Sequence, residues 1–319
     1  MRKVIDVILW GAGPHIAPCA PELLSPLLIA SLIMIHGINN KYLYASTKLT
    51  VSFVSADGKE TASLSGTGFF IKKEEKAYLL TNRHVVDIEY DSVLRQKYAG
   101  YKLQQIEFDT RKYVKDNGVH RVEVKNYVLA SWEIEYPETK EDDIACLYNM
   151  EINGDVHSIE ITGIDIAMVA TAEFIENLSV CDFIAFVGFP ANVYDKHNQL
   201  PILRSGVISS DPRLDYNYNS SFNGHLIAYE AFSTGGASGS PVFALQKGFQ
   251  LGNGLKGPSD FYREPKLVGI NAANITQSIT DCDGKIIRQE HQQMSLMYKA
   301  DQIHSLIEKC ERVAMEKNQ

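Results

Sequence analysis

The chain has 319 residues, 45% hydrophobic and 22% charged, enough apolar material for about two lobes of roughly 100–150 residues each. Its formal net charge is −8 and its pI about 5.6, with no Lys/Arg-rich tract to offset the acidity. Phosphate binding needs a basic footprint, so nucleic acid is excluded as the main partner.

The N-terminus carries two apolar runs, "MRKVIDVILWGAG" and "LLSPLLIASLIMI" (Leu23 to Ile35). The second contains Pro26 and falls short of the ~20 apolar residues that a membrane-spanning helix needs. Asp6 interrupts the first, which spoils the pattern of a signal peptide. Residues 1–44 are therefore expected as an apolar, helical extension. Three readings stand for it: a segment docked on the body of the protein, a membrane anchor or export signal, or a mis-assigned start with Met34 as initiator. Residues 1–40 are also where a membrane or a regulatory partner would engage.

From about Tyr42 the pattern becomes β. "KLTVSFVS" (Lys48 to Ser55), "VHRVEVKNYV" (Val119 to Val128) and "HLIAYEAF" (His225 to Phe232) alternate with period two, the mark of half-buried strands. Asp57-Gly58, Asn117-Gly118, Asn223-Gly224 and Asp283-Gly284 are dipeptides that favour tight hairpins, because such turns need positive φ. Together they predict an all-β body, barrel or sandwich. Residues 151–180 are mixed and suit a connection between two lobes. Lys299 to Asn318 predict a C-terminal helix, with Ile303, Leu306, Ile307, Cys310, Val313 and Ala314 on one face. Asp301 suits its positive end.

Five cysteines at wide spacings, with no C-x-x-C, argue against a disulfide framework and point to a reducing, cytoplasmic setting. The nine histidines form no zinc-ligand pattern, so no metal and no cofactor is expected.

Chemistry centres on "GGASGSPVF" (Gly235 to Phe243). A serine on a glycine-shaped turn acts as a nucleophile only with a base and an orienting acid. His84 in "AYLLTNRHVVD" lies at the end of an apolar strand, rigidly held yet near the surface, as a base must be. Read alone, it is more often an exposed loop histidine. "EDDIACLYN" offers Asp142 and Asp143; Asp143 abuts the apolar run and is preferred as the acid, with Asp142 the alternative. Ser238 is the candidate nucleophile, the alternative being a plain Gly/Ser loop before a strand. The backbone N–H groups of Gly236 and Ser238 would hold a developing oxyanion. The elbow G-x-S-x-G does not fit, since "GASGS" lacks its last glycine and the pattern is not that of a parallel sheet.

"TNRHVV", "DDIACL" and "GGASGSP" resemble, in this order, the three signature blocks of chymotrypsin-fold serine peptidases. The likeness is to bacterial trypsin-like enzymes, similar to glutamyl endopeptidases and the protease domain of HtrA-type proteins. "SGTGFFI" (Ser65 to Ile71), "FVGFP" (Phe186 to Pro190) and "LVGINAAN" (Leu267 to Asn274) resemble supporting pieces of that family. The resemblance implies a peptidase domain over 45–298, built of two six-stranded antiparallel β-barrels at about 45–165 and 180–298. A C-terminal helix over 299–319 would pack on the barrels. It implies a serine endopeptidase with the triad His84, Asp143 and Ser238, acting on a protein or peptide. It also implies a primary pocket lined by Phe232, Ser233, Asn271, Ala272, Ala273 and Asn274. Phe232 would narrow that pocket toward small or medium apolar residues, and His225 either enters the cleft or ends a strand. Ala237 stands where digestive members carry an aspartate, so their zymogen switch is not expected. The short C-terminal remainder predicts no HtrA-like peptide-binding module. A catalytically silent peptide-binding module is the alternative function.

Overall fold

The computed structural model describes residues 38–152, 161–191, 193–217, 223–248, 262–283 and 285–317. The N-terminal extension before residue 38 and Gly284 of the Asp283-Gly284 turn lie outside them.

Six strands form a ring: β1 (Ser46–Val54), β2 (Thr61–Lys73), β3 (Lys76–Thr81), β4 (Lys102–Asp116), β5 (Val119–Glu135) and β6 (Ala145–Ile152). Their order is β1-β4-β5-β6-β3-β2, and β1 pairs again with β2 to close it. A short strand β7 (Ile164–Asp165) adds to β2 in parallel. The alternation in "STKLTVSFV" becomes burial: Leu49, Val51 and Phe53 point inward and meet Phe70, Ile106, Phe108 and Leu147. Asn117 and Gly118 both have positive φ, 47° and 79°, and make a two-residue turn with Asp116 opposite Val119.

The second body is a closed barrel of β8 (Phe183–Gly188), β9 (Ile202–Ile208), β10 (Leu226–Glu230), β11 (Pro241–Ala244), β12 (Lys266–Thr280) and β13 (Ile286–Lys299). The order runs β10-β13-β12-β11-β8-β9, every pair is antiparallel, and β9 returns to β10. Phe186, Tyr229, Val242, Val268 and Met297 fill its interior. This is the two-barrel, chymotrypsin-like architecture with a C-terminal helix.

Among the described residues, a single apolar cluster joins the barrels: Phe69 and Leu80 from the first meet Phe243, Ile270 and Leu296 from the second. The last helix, Gln302–Lys317, drives Ile303, Leu306, Ile307 and Cys310 into it. Its start lies three residues later than the amphipathic pattern suggests, because Lys299 still belongs to β13 and donates its N–H to the His225 carbonyl. Leu306 is 1% exposed. Leu306→Ala is expected to lower stability by about 2–5 kcal/mol, read as a shift in the urea midpoint at constant slope.

Two turns depart from the sequence signals. Lys73 and Lys76 are joined by Glu74-Glu75, where Glu74 takes φ 54° without help from glycine or asparagine. Among the described residues Asn223-Gly224 joins no hairpin; it precedes β10, and Gly224 lies against Asp142 of the first barrel. Among the described residues no helix is long and apolar enough to cross a membrane.

Candidate active site

β3 ends at Thr81, and the chain turns through Asn82 into one helical turn, Arg83–Val86, that carries His84. Val85 and Val86 are buried beneath it, which anchors the turn while the His84 ring stays partly accessible. The Asn82 side chain donates to the Asp143 carbonyl at 2.6 Å. Asp143 then grips His84 twice: Oδ1 accepts the His84 backbone N–H at 2.8 Å, and Oδ2 lies 2.5 Å from Nδ1. This double contact fixes the ring and assigns the proton at Nδ1, leaving Nε2 as the free nitrogen. Burial works against the imidazolium, but the charge and hydrogen bond of Asp143, aided by Asp91, hold His84 above the usual histidine range.

Ser238 sits in the turn between β10 and β11. Gly236 and Gly239 both take left-handed conformations, φ 88° and 86°. The Gly236 carbonyl accepts from the Thr67 hydroxyl at 2.8 Å, and that hydroxyl accepts from the Phe189 N–H at 3.0 Å. The Ser238 carbonyl accepts from the Thr67 N–H at 2.8 Å. Thr67, on β2, thus stitches the serine turn to the first barrel. The Gly235 carbonyl accepts from the Ala191 N–H at 2.7 Å. Among the described residues the N–H groups of Gly236 and Ser238 go to no protein acceptor.

His84 and Ser238 come from different barrels and their segments meet over Gly66. A side chain there would lie 2.9 Å from Val85 and 3.4 Å from the Ser238 carbonyl. No hydrogen bond joins the two functional groups among the described residues; the Ser238 hydroxyl donates to the Ala272 carbonyl at 3.2 Å.

The residues expected to line a primary pocket divide into buried struts and an exposed rim. Asn271 is 1% exposed and accepts from the Tyr229 hydroxyl at 2.5 Å. Its amide donates to the Ser233 hydroxyl and the Ala237 carbonyl, at 3.1 and 2.8 Å. It is a brace for the serine turn. Ser233 and Ala272 are buried, while Ala273 and Asn274 are half-buried. Phe232 is 45% exposed, with the His291 ring 4.5 Å from its own and the Arg204 guanidinium 5.1 Å from its centroid. Its ring therefore lies at the surface. His291 donates from Nε2 to the Ser233 carbonyl at 2.7 Å and accepts at Nδ1 from the Gln293 N–H at 2.7 Å. His291 carries no motif or spacing that marks it, whereas Thr67 and Tyr229 lie inside legible strand segments and brace the serine turn only once the fold brings β2 and β10 to it. His225 does not stand free as a cleft residue: its Nδ1 lies 2.8 Å from Asp142.

A family model described as a trypsin-like peptidase domain matches residues 66–252, a span that holds His84, Asp143 and Ser238. Among solved structures, the crystal structure of Deg5 is similar at 16% identity, over 73% of this chain and 81% of that one, with a TM-score of 0.39. An inactivated protease paralogue of the scabies mite, S-I1, is similar at 14% identity, over 87% of this chain and 99% of that one, with a TM-score of 0.46. No curated protein matches the chain.

Proposed function

Because the chain belongs to the trypsin-like peptidase family, we propose that it is a serine endopeptidase working through His84, Asp143 and Ser238. The observation that carries this reading is the double grip of Asp143 on His84, which leaves Nε2 unprotonated and without a protein partner among the described residues. A substrate carbonyl seated at Ser238 would be attacked by Oγ as Nε2 takes its proton. The negative oxygen would lie against the Gly236 and Ser238 N–H groups. His84 then returns the proton to the leaving amine, and water, activated by the same imidazole, hydrolyses the ester at Ser238. Asp143 stays ionised and stabilises the imidazolium that forms. The hydroxyl must swing away from the Ala272 carbonyl for this, a rearrangement of the kind seen when catalytic hydrogen bonds tighten on substrate binding.

That same Ser238–Ala272 contact favours a second reading, a protease fold that holds peptide without cleaving it. Cleavage of a fluorogenic peptide library separates the two. Turnover that vanishes in Ser238→Ala supports the peptidase; binding without turnover in both proteins supports the module.

The pH dependence has a definite sign. His84 serves as base only when neutral, and Asp143 raises its pKa above the usual value. Turnover should therefore rise with pH, with its acid limb centred above about 6.5. An acid limb at or below that value would contradict the Asp143–His84 coupling.

A further inference from the structure

Asp142 and Asp143 are consecutive, and each carboxylate makes the same pair of contacts with a different histidine. Asp142 Oδ1 accepts the His225 backbone N–H at 2.8 Å, and Oδ2 lies 2.8 Å from His225 Nδ1. The Asp143 pair lies within the first barrel. The Asp142 pair crosses to the second, where the His225 carbonyl is held at 2.8 Å by the Lys299 N–H at the end of β13. Asp142 is 1% exposed. The approach is close: Gly224 takes φ 101°, and the space of its missing Cβ is filled by the Asp142 carboxylate. The loop carrying both acids is otherwise tied to the first barrel, by Asn82 on the Asp143 carbonyl and the Tyr90 hydroxyl on the Glu141 carbonyl.

We propose that His225 and Asp142 form a positioning pair that sets the Asp143 carboxylate, and through it His84, against Ser238 in the other barrel. This rests on the peptidase reading above. One rigid peptide unit joins the two aspartates, so a displaced Asp142 carries Asp143 with it. The proposed triad straddles the barrels, and misplacement of about 1 Å can cost about 100-fold in rate. Thr67 and the shared apolar cluster still hold the barrels together when the pair is lost. The expected effect is therefore on rate more than on folding.

Among the described residues the charged groups around the pair are few. His225 faces Asp142, with Asp215 and Asp301 further off, and Asp215 is itself paired with Lys299 at 2.8 Å. Tyr90 and Tyr298 stand beside the two aspartates. His84 faces Asp143 and Asp91.

The test is the rate of Ser238 labelling by a fluorophosphonate probe, across pH, in the full chain. His225→Ala should slow labelling about 10- to 100-fold. It should also move the acid limb to lower pH, since a loosened Asp143 supports the His84 imidazolium less. A purely structural role would leave that limb in place. His225→Asn keeps an N–H donor where Nδ1 stood and should restore most of the rate. Wild-type labelling and an unmoved acid limb in His225→Ala would overturn the pairing, as would an equal loss in the Ala and Asn variants. Failure of the unsubstituted protein to label at Ser238 would instead reject the peptidase reading, so the two failures are distinct.

Discussion

Asp143→Asn is expected to lower kcat about 10,000-fold while leaving the protein folded. In the native site Oδ2 faces Nδ1 at 2.5 Å and Oδ1 accepts the His84 N–H. An asparagine must keep its oxygen on that N–H, which turns its NH2 group toward Nδ1. Nδ1 then becomes the acceptor, and the ring proton moves to Nε2. A protonated Nε2 cannot take the Ser238 proton, so the chemical step fails although every heavy atom stays near its place. The check is kcat and KM on a cleavable peptide. A fall in kcat with KM nearly unchanged is expected; activity within tenfold of wild type would remove Asp143 from the mechanism.

Gly239→Ala should be the most damaging small substitution in the serine turn. Gly239 holds φ 86°, a conformation that alanine adopts only with strain. Its Cβ would also overlap the Thr67 carbonyl and lie 2.5 Å from the Thr81 hydroxyl. The Thr67 carbonyl is strand backbone of the first barrel and cannot retreat. Strain and overlap together should lower stability by about 2–5 kcal/mol, with turnover reduced about 100-fold or more as Ser238 is pushed off its barrel contact. Gly235→Ala is the matched control. It has no positive φ and no atom within 4 Å of its missing Cβ, so stability should stay within about 0.5 kcal/mol of wild type. Equal damage from both would show that general loop perturbation, not the Gly239 contact, is responsible.

The all-β body was legible because alternation in β1 and β5 and the Asn117-Gly118 turn are local signals, written within a few residues; β10 was expected to be half-buried, but Leu226 to Tyr229 are buried throughout. The contact of Asp143 with His84 was legible for a related reason: a carboxylate beside an apolar strand start is readily half-buried. What the neighbouring Asp142 does was not. Successive side chains leave an extended backbone on opposite sides, but sequence alone does not say that the far side meets another barrel. Asn223-Gly224 likewise reads as a hairpin signal, yet its positive φ serves close approach to Asp142. Asn271 reads as pocket lining and is a buried brace, because its partners Tyr229 and Ser233 lie about 40 residues away along the chain. Phe232 reads as narrowing a primary pocket; only the fold brings His291 and Arg204 to its exposed ring.

On the peptidase reading, Ser238 is a nucleophile activated by His84. The most direct test is covalent labelling of the folded protein with a fluorophosphonate, located by peptide mass spectrometry. One adduct is expected, on Ser238, growing with pH as His84 loses its proton and lost in His84→Ala. No adduct on Ser238 in folded protein, or an adduct that persists unchanged in His84→Ala, would contradict that reading.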